Sequence, residues 1–594
     1  MKPADPHAPA ARGAPWPFIG LLGLVVLAGC AGYAALVLST ATWAEARAVD
    51  GIFPESGWHI RPFTAASLHG LQQSLAGAAL GLTGLALALG AATRAGRQQL
   101  RALGKELRGC RQQLGQRLRA LTGPQRWLAA SLLLALTLVR GYLSSATVPW
   151  GDDVISYEFF VRQRLLAVSA YYPLPNNHPL ANTISWAFYQ LQPGFWWAVR
   201  LPVLLTSTVG TGLLFAGLLG RAGFRPALLA AGAFSYLQLS LYYAGAGRGY
   251  WLVSLLAGVV VFGLLHLFDD EPARPRLAWL GLLVAGVLGC YTVPTFAYVL
   301  VSAFGWLGAV AVWRRAPGLL GRAVAVGALV AGGAALLYAP LLLVSGPAAL
   351  FANPYVLPLS GPAFWRALPA YTWYTEGFLA GQRSVGALLT LVVLALFGRL
   401  LYRAATGQLA AARSRQVWQL GLPALWFVVV PYVLFGGQRV LPPERTVLYK
   451  AWFFFLLLAL VVENSRWPRA RYRWAVGVAV GLFGLYQVGT AVQLSYLGRH
   501  QQPQKRALYA WLARQPAGAA LLIPSQPLWF WLRLAAHVAH PTRPWLADNV
   551  GRPGVRYTYV VLGQADPRPP GTGRVLYAND QVLVCTYSAP LAKK

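Results

Sequence analysis

Residues 127–158 read WLAASLLLALTLVRGYLSSATVPWGDDVISYE. The first part, up to about residue 147, is apolar and has the roughly 20 residues that a helix needs to cross a bilayer. It leads directly into Asp152 and Asp153, an adjacent pair of carboxylates in a chain that has only 17 acidic residues. Because an ionisable group at a membrane boundary is costly to desolvate, such a pair invites a functional interpretation. The stretch therefore predicts a transmembrane helix that carries two carboxylates to the membrane surface.

The whole chain shares the apolar character of this stretch. Its 594 residues are 57% hydrophobic and 11% charged, whereas a soluble domain carries roughly 25% charged residues. With a mean hydropathy of +0.49, the chain is predicted to be an all-α polytopic membrane protein. Its predicted transmembrane helices, about thirteen by the same length criterion, lie at about residues 16–42, 66–93, 127–147, 195–220, 227–243, 250–268, 277–292, 295–313, 323–345, 384–402, 417–436, 447–464 and 474–495. The pair over 277–313 could also be one broken helix, because Pro294 interrupts it.

The basic residues indicate the orientation of these helices. The net charge of +33 is carried by short segments between the apolar runs, which is the pattern of cytoplasmic loops. Residues 94–126 hold nine basic residues and one acid, Glu106. We therefore predict that this loop and the amino terminus are cytoplasmic and that the tail, after an odd number of crossings, lies on the far side. No basic and aromatic stretch resembles a nucleic-acid-binding module, which excludes nucleic acid as a partner.

The four cysteines lie far apart, at Cys30, Cys110, Cys290 and Cys585. None forms a C-x-x-C pair, so neither a zinc site nor a disulfide framework is predicted. Cys30 closes the sequence Leu-Ala-Gly-Cys, which resembles a lipoprotein cleavage box. The apolar run continues to about Ala41, which is longer than a signal h-region. We therefore predict that residues 16–42 are a retained first helix.

The acidic residues between positions 127 and 495 are the first candidates for chemistry. The predicted topology places Asp152, Asp153, Glu158, Glu376 and Glu444 on the outer side and Asp269, Asp270, Glu271 and Glu463 on the cytoplasmic side. In the adjacent pair, one carboxylate can accept a proton from an attacking hydroxyl while the other orients it or binds a cation. The alternative is that the pair only caps a helix. Two adjacent aspartates with one distant histidine are a thin ligand set, so no metal site is predicted.

Three further segments on the outer side carry polar side chains. PLPNNHPL at residues 173–180 presents Asn177 and His178, which could hydrogen-bond a sugar or a phosphate, or could form a turn that caps a helix over about 180–191. YYAGAGRGY at residues 242–250 contains Arg248, which could pair with phosphate or reach to lipid headgroups. Its glycines favour a tight turn over a phosphate cradle, since no strand precedes them.

The third of these further segments, GQRVLPPER at residues 437–445, contains Arg439 and Arg445. Both arginines could contact the same anion as Arg248. The alternative is an ion pair with Glu444 within one loop, which would contribute about 0–1 kcal/mol if exposed. Lys450 is expected just inside the next span.

The order of these motifs resembles that of the GT-C glycosyltransferases. A carboxylate pair after a transmembrane helix, then an Asn-Asn-His-Pro-Leu segment, then an Arg-Gly-Tyr junction that ends at Tyr250 is similar to protein O-mannosyltransferases, lipid A aminoarabinose transferases and RgtA/B/C/D-like proteins. Arg200-Leu201-Pro202, which opens a span, and Tyr291-Thr292, which ends another, are also similar to that branch. The resemblance covers about residues 127–495. It implies a catalytic core over that range, preceded in residues 1–126 by two extra transmembrane helices and the basic loop.

Two departures from the family pattern concern the site. The family usually has Asp-Glu where this chain has Asp152-Asp153, so that Asp152 matches the catalytic acid and Asp153 matches the Glu. The His178-Pro179-Leu180 segment is similar to the His-Pro-Pro-Leu of the mannosyltransferases, with the second proline missing. The sugar and the acceptor therefore stay unassigned.

The resemblance implies a transferase of the bacterial inner membrane that moves a hexosyl or pentosyl group from a polyprenyl-phosphate donor, without a cofactor. Asp152 would be the general base, supported by Asp153, and the site would face the periplasm. Asn177, His178, Arg248, Tyr250 and Arg445 would bind the substrate. The acceptor could be a lipid, a glycan or a protein. The alternatives are a transporter or lipid flippase with no enzymatic activity, and a polysaccharide polymerase or ligase.

The tail over about residues 496–594 is predicted to be a small extracytoplasmic α/β domain. Residues 504–514 and 528–540 have helical patterns. The predicted strands cover residues 557–565, 574–579 and 581–588, and the last two are joined at Asn579-Asp580.

Overall fold

The computed structural model describes residues 16–588 except 54–55, 57, 150, 269–273, 354–355, 466–468, 501, 517, 540–544 and 553. Asp269, Asp270 and Glu271, which the predicted topology places on the cytoplasmic side, lie outside these ranges, as does Trp150. The side chains of residues 469–473, 496–500 and 538–539 are also outside the description.

The amino-terminal third is a series of helices with well-defined starts. They are α1 (Trp16–Ser39), α2 (Trp43–Ala48), α3 (Ala65–Leu87), α4 (Arg94–Arg119) and α5 (Gly123–Ala146). Thr42, Thr64 and Thr122 each accept a hydrogen bond from a backbone N–H of the helix that follows, within a capping box. The predicted basic loop over 94–126 therefore consists mainly of α4, a helix of 26 residues. The two extra helices α1 and α3 pack against each other, and α1 also packs against the helix over Pro317–Val344.

The central and carboxyl-terminal parts of the bundle contain seventeen further helices in the described ranges. They are α6 (Gly151–Ile155), α7 (Leu165–Ala170), α8 (Pro179–Leu191), α9 (Leu201–Ala222), α10 (Phe224–Tyr236), α11 (Gln238–Gly245), α12 (Tyr250–His266), α13 (Pro275–Thr292), α14 (Ala297–Trp313), α15 (Pro317–Val344), α16 (Ala348–Phe351), α17 (Gly361–Leu379), α18 (Gly386–Ala405), α19 (Ala411–Gln416), α20 (Leu422–Gln438), α21 (Tyr449–Glu463) and α22 (Arg469–His500). Short π-helical segments cover Ala88–Ala92, Ser156–Val161, Trp196–Arg200 and Val417–Gly421, and 3₁₀ turns cover Val49–Gly51, Pro294–Phe296 and Glu444–Val447.

Within the described residues, ten helices are long and apolar enough to cross a membrane. An eleventh span results if α11 and α12, which are bent by 114° at their junction, count as one. The chain is thus a multi-pass membrane protein. The predicted count of about thirteen is higher because it includes the regions of α10, α12 and α21, which form helices of only 13, 17 and 15 residues. The pair over 277–313 forms two helices that are separated by Val293 and the 3₁₀ turn at Pro294.

The bundle has two ends that differ in charge and content. Helix α4 contacts the first turn of α13 through a 3.0 Å ion pair between Glu106 and Arg276, and we call this the basic end. Helix α5 starts there and carries the chain to the opposite end, where Asp152 and Asp153 form the first turn of α6. We call this second end the site end. Helices α7 and α8 and the tail domain lie at the site end, where α24 (Gln526–Ala539) contacts α6.

The tail is the small α/β domain that the sequence predicts. It comprises α23 (Gln502–Leu512), α24 (Gln526–Ala539), β1 (Ala520–Leu522), β2 (Leu546–Asp548), β3 (Tyr559–Gly563), β4 (Thr572–Ala578) and β5 (Val582–Tyr587). The sheet order is β2-β1-β3-β5-β4. Strand β1 is parallel to β2 and β3, whereas β5 is antiparallel to β3 and β4. The hairpin turn lies at Asn579-Asp580, where the Asn579 side chain accepts from the backbone N–H groups of Gln581 and Val582.

Candidate active site

A cavity of about 570 Å³ opens at the site end of the bundle. Its walls come from seven separate segments, including the carboxylate segment, the junction between α11 and α12, and the first turn of α24 in the tail. Six of the seven predicted site residues line this cavity, namely Asp152, Asp153, His178, Arg248, Tyr250 and Arg445. Segments that are far apart in the sequence therefore bring these residues to one space.

Asp152 is the carboxylate that faces the cavity. Its side chain is 48% exposed, and its nearest cation is Arg248, with Nη2 at 3.9 Å from Oδ2. Because the side chain is at once half-exposed and close to a buried guanidinium, the carboxylate stays available to a substrate while its charge is partly balanced. Such a group can accept a proton.

Asp153 has a different environment, although it is the next residue. Its carboxylate is buried and lies 2.8 Å from Nη2 of the buried Arg200. Arg200, the residue before α9, also donates to the backbone carbonyl of Gly245 at the end of α11. Asp153 therefore ties α6 to α9 and to the α11–α12 junction, and it can hold Asp152 in place. Neither the Asp-Asp sequence nor the spacing indicated this partner.

Arg248 connects three segments of the site. Its Nη1 donates to Ser156 Oγ at 2.9 Å and to the backbone carbonyl of Asn176 at 2.8 Å, and Nη2 lies 3.1 Å from His178 Nε2. The side chain is only 3% exposed. A Cβ on Gly247 would lie 1.8 Å from Val199, so glycine is required where the junction passes the π-helical segment before α9. The glycine thus permits close packing, in agreement with the predicted tight turn. Arg248 places a buried positive charge next to Asp152.

His178 is a neutral imidazole in this arrangement. Its Nδ1 accepts a 3.0 Å hydrogen bond from the backbone N–H of Gly249, and its ring meets Tyr250 edge to face with 5.0 Å between the centroids. Burial, together with the charges of Arg248 and Arg445, lowers the pKa of His178 well below its usual value. Because Nδ1 already accepts from the N–H of Gly249, a second proton at Nδ1 would have no acceptor.

Arg445 is the cation with the most capacity left for a ligand. Its Nε donates to Tyr250 Oη at 3.1 Å, and within the described residues its two other guanidinium nitrogens have no hydrogen-bond partner in the protein. Burial opposes its charge, but Tyr250, Tyr243 and Asp152 nearby raise the pKa of Arg445 above its usual value. The predicted alternative of an ion pair with Glu444 is not formed. Arg445 therefore presents a permanent positive charge to the cavity.

Two predicted residues lie elsewhere. Asn177 is fully buried, where its Nδ2 donates to the carbonyls of Val168 and Tyr171 and its Oδ1 accepts from Asn182. It shapes the turn before α8 and does not line the cavity. Arg439 is exposed, has a left-handed backbone with φ of 55°, and is also absent from the cavity wall.

The neighbour of Asn177 takes the position in the cavity wall. Asn176 is 7% exposed and lines the cavity, and neither its Nδ2 nor its Oδ1 has a partner in the part of the chain that is described. A buried amide with both groups unused is costly unless a ligand or water satisfies it. The sequence draws attention to the Asn-Asn pair, but it does not show which of the two amides faces the cavity.

The tail domain and the loop after α15 also reach the cavity. Gln526 and Phe530 come from the first two turns of α24, whereas Leu350 and Asn353 come from the predicted outer segment over 346–383. No motif signalled these residues. Among the described residues, no group of three or more His, Cys, Asp or Glu side chains is arranged to hold a metal ion.

The fold is similar to that of three solved structures. ArnT from Cupriavidus metallidurans in the apo state matches with a TM-score of 0.50 at 16% identity, over 80% of this chain and 100% of that chain. The same ArnT bound to undecaprenyl phosphate matches with a TM-score of 0.48 at 14% identity, over 78% of this chain and 99% of that chain. The archaeal oligosaccharyltransferase AglB from Archaeoglobus fulgidus, in complex with an inhibitory peptide and a dolichol-phosphate, matches with a TM-score of 0.41 at 12% identity. The match covers 74% of this chain and 70% of that chain.

The similarity to apo ArnT shows that this chain has a GT-C-like fold. No protein-family model matches the sequence. A search of curated protein sequences also finds no match.

Proposed function

We propose that this multi-pass membrane protein with a GT-C-like fold is a glycosyltransferase. It would move a hexosyl or pentosyl group from a polyprenyl-phosphate donor to an acceptor hydroxyl, with Asp152 as the general base. One observation supports the proposal most directly. A half-exposed carboxylate and a guanidinium with unused donors, those of Asp152 and Arg445, share one cavity at the end of a membrane bundle.

The proposed reaction is a single displacement with inversion at the anomeric carbon. Asp152 takes the proton of the acceptor hydroxyl as its oxygen forms a bond to the anomeric carbon. The bond from that carbon to the phosphate oxygen breaks, and the electron pair leaves with the polyprenyl phosphate. A phosphate leaving group needs little protonation, so it needs positive charge rather than an opposing acid.

The cations of the cavity suit that leaving group. Arginine pairs with phosphate through two parallel N–H donors, and Arg445 has two guanidinium nitrogens free for this. Arg248, whose donors are largely used within the protein, would add positive potential beside Asp152. Tyr250 orients Arg445 through its hydroxyl, and His178 supports Tyr250 through ring contact. Asn176 would hydrogen-bond the sugar in place of Asn177.

The proposed location is the bacterial inner membrane, with the cavity facing the periplasm. The positive-inside rule supports this orientation, because α4 lies at the end of the bundle opposite to the cavity. The apolar helices would hold the prenyl tail of the donor. The acceptor, a lipid, a glycan or a protein, would enter beside the loop after α15 and the first turn of α24.

Product analysis tests the function. The purified protein is reconstituted with radiolabelled lipid-linked sugars extracted from a strain that lacks it, and with the cell-envelope fraction of that strain. We expect label to move from the acid-labile lipid phosphate into an acid-stable glycosidic bond on one acceptor. Label that crosses the bilayer but stays acid-labile would contradict the proposal and indicate a transporter or flippase. Label in long repeating chains would indicate a polymerase.

A further inference from the structure

Helix α4 lies at one end of the bundle, where it contacts α1, α9 and α13. It follows α3 after a sharp turn at Thr93, and Thr122 caps α5 only three residues beyond its end at Arg119. A Cβ on Gly96 would lie 1.9 Å from the carbonyl oxygen of Leu89, so only glycine permits this close reversal. Both neighbouring helices are candidate spans. A helix of 26 residues is therefore fixed at one end of the bundle.

One face of α4 is anchored on the bundle. Glu106 pairs with Arg276 at 3.0 Å and accepts from the backbone N–H of Leu277 at 2.9 Å, and Gln99 accepts from Arg276 at 2.8 Å. Leu103 packs against the main apolar core. Glu106 is the only acid in the helix, and it points inward. The face that remains therefore carries no negative charge.

The outward face combines cations with an apolar stripe. Its seven exposed cations are Arg94, Arg97, Arg101, Lys105, Arg108, Arg111 and Arg119. Leu100, Leu107 and Leu118 are 48%, 45% and 39% exposed, and spacings of seven and eleven residues place them on one side of a helix. This stripe lies between the anchored face and the cations. The pattern is typical of a helix that rests in the membrane interface with leucines in the acyl boundary and cations at headgroup level.

We infer that the outward face of α4 binds the headgroups of anionic phospholipids on its side of the membrane. Charge complementarity supports this partner, because the seven cations pair with no acid in the described part of the chain. Clusters of four to eight such residues beside a span attract anionic lipid. Continuity supports it too, since both ends of α4 join spans that sit in the same lipid. A nucleic acid fits less well, because residues 94–119 contain no aromatic side chain for stacking.

Lipid binding by the full-length protein tests this inference. The variant Arg97→Gln/Arg101→Gln/Arg108→Gln is compared with the wild type in nanodiscs of phosphatidylcholine, with and without phosphatidylglycerol. Each cation near an anionic surface strengthens binding several-fold, so the triple variant should bind phosphatidylglycerol on the order of 100-fold more weakly by native mass spectrometry. High salt should weaken binding to the wild type.

Two controls separate charge from folding. The variant Arg413→Gln/Arg415→Gln removes exposed cations from α19, which lies at the same end because Gln416 donates to the carbonyl of Arg221 at the end of α9. It should bind phosphatidylglycerol like the wild type. The variant Arg97→Lys/Arg101→Lys/Arg108→Lys keeps the charge and should also bind. Equal binding by the wild type and the triple glutamine variant, or no preference of the wild type for phosphatidylglycerol, would overturn the inference.

Discussion

At the scale of single residues, the adjacent carboxylates Asp152 and Asp153 have different environments. One is half-exposed in the cavity, and the other is buried against Arg200. The sequence singled out both, but it could not distinguish them, because the difference depends on a guanidinium 47 residues away. The same limit applies to Asn176 and Asn177. The Asn176 side chain lines the cavity, whereas that of Asn177 hydrogen-bonds within the protein.

Asp153→Asn should destabilise the protein. The change leaves Arg200 as a buried charge without its carboxylate, and breaking a buried ion pair typically costs about 3–5 kcal/mol. Thermal unfolding in detergent measures the loss. Glu444→Gln, a half-buried acid at the same end without an ion-pair partner among the described residues, should unfold like the wild type. An Asp153→Asn variant as stable as the wild type would show that the ion pair does not hold the site together.

His178 should make the protein less stable in mild acid. Burial and nearby arginines lower the pKa of His178 in the folded state. In mild acid the unfolded chain therefore binds a proton at His178 that the folded chain does not bind. Stability is then lost as pH falls through the unfolded value of about 6.5 and is regained above it. The melting temperature of the wild type should fall from about pH 7.5 to about pH 5, and that of His178→Gln should fall less. Parallel slopes for the two proteins would contradict the neutral imidazole.

At the scale of elements, α24 attaches the tail to the site. Trp529 is fully buried and stacks with Phe159 of the segment after α6, with 6.0 Å between the ring centroids, and with Phe53 from the amino-terminal region at 5.9 Å. Glu158 contacts His537 at 2.6 Å and Arg533 at 3.8 Å. These contacts place Gln526 and Phe530 in the cavity wall.

Trp529→Ala should loosen the tail. Removing a fully buried tryptophan costs about 3–5 kcal/mol, and here the loss falls on the contact between α24 and the bundle. Limited proteolysis should release the tail faster in this variant, while the membrane helices stay protected. Trp365→Ala, at a position that is 62% exposed, serves as the matched control. Equal cleavage rates in both variants would show that the aromatic stack does not secure the tail.

The elements also show which features a sequence reveals. The long apolar helices, α23, α24 and the β4–β5 hairpin follow from local periodicity and turn residues. Strands β1 and β2 have only three residues each and pair in parallel with distant strands, so local patterns do not signal them. Similarly, the sequence predicts α4 only as a basic loop. Its many charged residues obscure the helical pattern, and its inner face is defined by contacts with α13.

At the scale of the whole molecule, the basic helix and the candidate site lie at opposite ends of the bundle. The basic helix α4 lies at one end of the bundle, and the cavity with the tail domain lies at the other. The distribution of Lys and Arg predicts that the candidate residues lie on the side opposite to the basic loop. The contributions of α24 and of the loop after α15 depend on long-range packing, so no local signal could reveal them.

Thiol labelling in intact cells tests the orientation. Gln112→Cys lies on the exposed face of α4, and Gln564→Cys lies on the exposed surface of the tail. A membrane-impermeant maleimide that reaches only the periplasm should label the cysteine at position 564 and not the one at position 112, and lysed cells should label both. Labelling at 112 but not at 564 in intact cells would reverse the proposed topology.

The turnover of Asp152→Asn in the reconstituted sugar-transfer assay tests whether this carboxylate is the general base. Loss of a general base lowers the rate about 10²–10⁴-fold, and because Asp152 is half-exposed, the variant should keep the melting temperature of the wild type. Glu444→Gln should transfer sugar at the wild-type rate. Turnover by Asp152→Asn equal to that of the wild type would contradict both Asp152 as the base and the cavity as the place of sugar transfer.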